Sequence, residues 1–99
     1  MHLEVAILSA KNGDSAGLVD AMRNSGGCAA LEAAPGCRSA KVYPGVEEPG
    51  NVLFLVEWDS VDAHTAARDS QGFEDFKRIA GPWFGGPGGG SMQHFDLAK

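Results

Sequence analysis

Residues 52–58, Val-Leu-Phe-Leu-Val-Glu-Trp, are apolar on two faces at once. The short apolar run lies between the turn-rich stretch Pro44–Gly50 and the Asp59-Ser60 turn signal, and it reads as a β-strand. Side chains on a strand alternate, so Val52, Phe54 and Val56 point one way while Leu53 and Leu55 point the other. A short antiparallel strand with one wet face would alternate apolar with polar residues. The chain has 99 residues, 43% of them hydrophobic, which suits a single domain over 1–99 and is too little for two. The helices of such a domain cover one side of its sheet. The other side then calls for a second copy of the chain, at roughly 1.5 to 3 kcal/mol for each Leu-sized side chain removed from water. A homodimer is the expectation.

The remaining elements follow from periodicity and punctuation. His-Leu-Glu-Val-Ala-Ile-Leu-Ser, residues 2–9, sets Leu3, Val5 and Ile7 against His2, Glu4 and Ala6 with period two and reads as a first strand. Asn12 to Ser15 supply turn and capping chemistry. Leu18, Val19, Met22, Ala30, Leu31 and Ala34 then recur at helical spacing up to Pro35-Gly36, with Gly26-Gly27 as a break. Residues 37–43 read as a second strand. Ser60 or Asp59 caps a helix running to about Arg68, and Ser70 caps another that carries Phe73, Phe76 and Ile79 and ends at the Gly-Pro-Trp-Phe stretch. Residues 91–97 read as a closing strand. The order βαββαβ predicts an α+β fold, an antiparallel sheet with helices on one face.

Charge and composition narrow the function. A net charge of −5 without a basic patch disfavours nucleic acid and anionic lipid as partners. The start lacks a basic n-region and its apolar run stops at Leu8, so it reads as a strand, not as a signal peptide or a membrane span, and a cytoplasmic protein is expected. Cys28 and Cys37 form no CxxC and have no nearby histidine pair, so they read as buried or free thiols. His2 and His94 fall on strands that can be neighbours, but two histidines without a carboxylate make no metal site. The glycine-rich run Gly85–Gly90 lacks the GK[ST] of a phosphate loop and reads as a flexible connector or a mobile lid.

The corner between Trp58 and His64 is the candidate site. On a helix starting at Val61, steps of 100° place Val61, His64, Ala67 and Ala63 on one arc of about 160°, with Asp62 and Thr65 opposite. His64 therefore borders the buried side. Small alanines beside it keep that helix from closing tightly on the sheet, and Trp58 stands near as an aromatic wall. An apolar hollow with a few polar groups is the form of a small-ligand pocket. A buried Trp at a strand end more often serves only as core, and a half-buried His often only bonds a backbone carbonyl.

Glu57, Trp58, Ser60, His64, Phe73, Gly81, Pro82, Phe84, His94 and Phe95 stand in a pattern that resembles the antibiotic biosynthesis monooxygenase family, as does the Pro-Gly-Cys at residues 35–37 before the second strand. The resemblance implies ferredoxin-like subunits paired as a dimeric α/β barrel, with one pocket per subunit between helices and sheet. It also implies oxidation of a small aromatic, quinol or polyketide-type substrate by O₂ with no metal or flavin. A phenol that has been deprotonated and desolvated can itself pass an electron to oxygen, so the protein need supply only a base and a dry cavity. His64 is then the base or orienting donor. Trp58, Trp83 and Phe84 would stack on the ring, and Tyr43 and His94 would hold a ring oxygen. A haem-degrading branch shares the fold, but the positions that serve iron there hold Lys77 and Ala67 here. The alternative is a dimer of the same fold that binds a small ligand without catalysis.

Overall fold

The computed structural model describes residues 1–86 and 90–97. Four strands, β1 (His2–Ser9), β2 (Cys37–Pro44), β3 (Asn51–Trp58) and β4 (Gly90–Asp96), form one antiparallel sheet in the order β2-β3-β1-β4. Helices α1 (Ser15–Arg23) and α2 (Gly27–Glu32) connect β1 to β2, and α3 (Val61–Ala67) and α4 (Gln71–Ala80) connect β3 to β4. Because β3 lies between β1 and β2, the two crossovers interleave: the fold is ferredoxin-like α+β. Residues 87–89 of the predicted Gly85–Gly90 connector lie outside the described residues. Among the described residues no helix is long and apolar enough to cross a membrane.

Local chemistry sets the helix ends. The Asp14 side chain accepts from the Gly17 amide at 2.9 Å, Ser60 Oγ from Ala63 at 3.0 Å and Ser70 Oγ from Phe73 at 3.2 Å, each satisfying an amide that a first turn leaves unpaired. Of the two predicted caps for α3, Ser60 takes the role, while Asp59 pairs with Arg38. Gly26, at φ 98°, turns the chain between α1 and α2 in a conformation that costs other residues energy. α1 buries Leu18, Ala21 and Met22, α2 buries Leu31, and α4 buries Phe76 and Ala80.

These helices cover one face of the sheet. On β3 that face carries Val52, Phe54, Val56 and Trp58, all buried, as the two-sided reading of this strand requires. The register then decides β1. Glu4 lies opposite Val56 and Ala6 opposite Phe54, so the row His2, Glu4, Ala6, Leu8 faces the helices and the apolar row Leu3, Val5, Ile7 faces away. The uncovered face therefore gathers Leu3, Val5, Ile7, Leu53, Leu55, Tyr43 and Phe95, with Ile7, Tyr43 and Phe95 each more than 40% exposed.

Candidate functional site

One charged side chain, Glu4, projects from the middle of the sheet into the helix-covered layer and is only 8% exposed. Burying a carboxylate costs several kcal/mol unless its oxygens find donors. Trp58 provides one: its Nε1–H donates to Glu4 Oε1 at 2.9 Å. The Trp58 ring, 1% exposed, lies stacked against the His64 imidazole, with ring centroids 4.6 Å apart and planes 11° from parallel. His64, also 8% exposed, is carried down onto Trp58 and Glu4 from the first turns of α3, with its Nε2 3.4 Å from Glu4 Oε1. Its Nδ1 meets His94 Nε2 at 2.7 Å. His94 reaches this point because it sits directly opposite Glu4 in the β1–β4 ladder.

A carboxylate accepts only, so a hydrogen on the His64 nitrogen 3.4 Å from Glu4 is the electrostatically favoured tautomer, and in that tautomer Nδ1 accepts from His94 Nε2–H. Burial pushes the His64 imidazole below its ordinary range. The Glu4 carboxylate pulls it back upward, and His94 and Arg68 add to the lowering. The net effect favours the neutral imidazole beside Glu4.

Glu4 and His64 form the polar end of a cavity of about 440 Å³ between sheet and helices. Apart from Arg68 and Ser91 the rest of its wall is apolar and aromatic, led by Phe54, Phe73, Phe76 and Phe84. Phe84 sits 6.0 Å from Phe54 and 5.8 Å from Phe76, centroid to centroid, in tilted packing. Arg68, one turn after His64 and exposed, also borders the cavity, and it makes no ion pair among the described residues.

The structure brings together some of the residues singled out from the sequence and separates others. His64, His94 and Phe84 meet at or beside the cavity. Trp58 does not line it: the indole lies behind His64, orienting that ring and Glu4. Trp83 packs against α1 so closely that a Cβ on Gly17 would stand 2.2 Å from its ring, and it does not reach the cavity. Tyr43 is opposite Leu53 on the edge strand β2, so it projects from the uncovered face, with the Arg23 guanidinium 5.7 Å from its ring centre. Neither can touch a molecule held in this hollow by the same chain. The sequence missed Glu4 and Arg68. The signal for Glu4 was Trp58 itself, since a buried indole N–H demands an acceptor and a neighbouring strand can offer one. The structure groups His94 with His64 and Glu4 and not with His2, the pair considered from the sequence.

A model of the family described as antibiotic biosynthesis monooxygenase matches residues 1–79. Among solved structures, a candidate antibiotic biosynthesis monooxygenase from Bordetella bronchiseptica superposes with a TM-score of 0.82 at 20% identity, over 99% of this chain and 97% of that one. One from Nitrosomonas europaea gives 0.70 at 11% identity over 97% of each chain, and Rv0793 from Mycobacterium tuberculosis gives 0.66 at 20% over 99% and 95%. Such identities speak for the fold alone. Among curated proteins, none matches this sequence.

Proposed function

This chain belongs to the antibiotic biosynthesis monooxygenase family, and from that premise we propose that it oxidises a small aromatic, quinol or polyketide-type substrate with O₂, His64 receiving the substrate's proton. The observation that carries the reading is the Glu4–His64 pair, buried at the polar end of a mostly apolar cavity, with half-buried His94 bonded to His64 beside it. The volume suits a molecule of two or three fused rings, within the range of small-molecule sites. The four phenylalanines offer its faces tilted aromatic contacts, and Phe84 is the one they share with the sequence-based expectation.

The array can take up one proton without leaving a bare charge. A proton delivered to His94 shifts its Nε2 hydrogen onto His64 Nδ1, and the imidazolium that results lies beside the Glu4 carboxylate. A neutral imidazole held in a dry site suits this transfer, which is commonly worth about 10² to 10⁴ in rate. The phenolate left in the cavity is electron-rich and poorly solvated, and it passes an electron to O₂. Recombination places oxygen on the ring or on an adjacent methylene. Loss of water from the hydroperoxide gives a carbonyl, so one oxygen atom ends in the product, the other in water, and the substrate supplies all the electrons. Arg68 at the border would favour a substrate with an anionic oxygen.

The same reading makes the functional unit a homodimer, two uncovered sheet faces closing on each other through Leu3, Val5, Ile7, Leu53, Leu55 and Phe95, as the obligate burial of such surface suggests. The activity is tested with an oxygen electrode and a panel of dihydroxynaphthalenes and anthrones, with chelator present and ¹⁸O₂ as label. Oxygen uptake with one labelled atom in the product supports the reading. Thermal stabilisation by these compounds with no uptake contradicts it and leaves a binding protein.

A further inference from the structure

We infer that Glu4, His64 and His94 also form a binding site for a divalent transition-metal cation of the zinc class, held by one carboxylate oxygen and two imidazole nitrogens. Their ligand atoms all lie within 4.8 Å of one another. They arrive from three different elements: Glu4 from the central strand β1, His94 from its cross-strand position on β4, and His64 from α3 above them. Two imidazoles with one carboxylate is a donor set that borderline divalent cations accept, and three protein ligands leave a coordination position open.

The distances ask for little movement. With bonds of roughly 2.0 to 2.1 Å, tetrahedral ligand atoms stand about 3.3 Å apart. His64 Nε2 and Glu4 Oε1 already stand 3.4 Å apart. His94 has the adjustment to make, its ring turning from the His64 nitrogen toward the shared centre, and it is half-buried on an edge strand where a side chain has room to turn. Outer support is also in place. The Trp58 N–H fixes Glu4 Oε1 and the stacked indole fixes the plane of His64, the kind of orientation that metal ligands take from their neighbours. Cation and proton compete for the same lone pairs, so a loaded site cannot act as the base. The inference goes beyond the oxidation reading and stands without it.

The test is a titration of the full chain with Co²⁺, followed by the visible absorption of the bound ion, with Zn²⁺ added in competition. One cobalt per chain is expected, displaced by zinc. His94→Ala and Glu4→Gln should each weaken binding by roughly 10- to 100-fold or more, and His2→Ala should leave it unchanged. Thermal melts establish that the variants are folded. Should His94→Ala fail to fold, Glu4→Gln decides, because the amide oxygen still accepts from Trp58. No cobalt binding by the parent chain, or equal binding by the folded variants, overturns the site. The readout is binding and not turnover, so a chain that holds cobalt yet consumes no oxygen supports the metal site while the oxidation reading fails.

Discussion

Among single residues Glu4 is the pivot, a carboxylate that a period-two reading of residues 2–9 sets opposite the apolar row and that the structure buries against the edges of Trp58 and His64. Glu4→Gln should keep the Trp58 hydrogen bond and so hold stability within about 1 kcal/mol by urea unfolding. Turnover of a responsive quinol should fall by roughly 10-fold or more, since the carboxylate no longer neutralises the imidazolium. Unchanged turnover would detach Glu4 from the proton transfer. The thiols make a separate case. Burial, seconded by the Glu32 carboxylate, pushes Cys37 up to about 11, and burial raises Cys28 as well. The thiolate is the reactive form, so iodoacetamide at pH 8 should modify Cys37 about a hundredfold more slowly than a free cysteine, with the rate climbing until the pH approaches 11. Labelling at the free-thiol rate would show Cys37 more open than its setting implies. His64 was legible because it falls on the inner arc of a capped helix. Glu4 and Arg68 were not, because their roles depend on which strands and helices come to lie beside them.

Among the elements, the capped starts of α3 and α4 and the break at Gly26 were legible in short-range chemistry, β1 in alternation and β3 in a short apolar run between turn signals. What alternation could not give was the facing of β1. Its apolar row, Leu3, Val5 and Ile7, turns outward because the register with β3 puts Glu4 and Ala6 beside Val56 and Phe54. The same limit misplaced Trp83 and Tyr43: parity along β2 puts Tyr43 with Leu53, and a tight turn after α4 sends Trp83 back onto α1. The seat of α3 depends on Gly36, whose φ is 85° and where an added Cβ would stand 2.6 Å from Ala63 Cβ. Gly36→Val therefore combines a left-handed conformation that a branched residue resists with a push against the helix that carries His64. A loss of roughly 1 to 3 kcal/mol is expected in denaturant unfolding. An unmoved midpoint would mean that α3 is not held at this contact.

For the whole molecule, the two-sided apolar character of β3 constrains both faces of the sheet. One face is filled by helices and hollowed around His64, and the other is left bare, with an apolar centre of Leu3, Val5, Ile7, Leu53 and Leu55 flanked by Lys41, Glu57 and Gln93. Sedimentation at micromolar concentration should give the mass of two chains. Leu55→Lys, placing a charge in the middle of the bare face, should shift that mass toward one chain, because each buried Leu is worth roughly 1.5 to 3 kcal/mol. A parent chain that sediments as a monomer would remove the reason offered for that surface. The fold class was legible because strand and helix signals were strong and locally consistent. The site was legible only in part, since it is assembled from β1, β4 and α3, which are far apart in sequence. The most direct measurement is oxygen uptake by His64→Ala on a substrate that the parent chain oxidises, with chelator present and the variant's fold checked by its melt. A fall of about 100-fold or more is predicted; a rate equal to that of the parent would contradict the account.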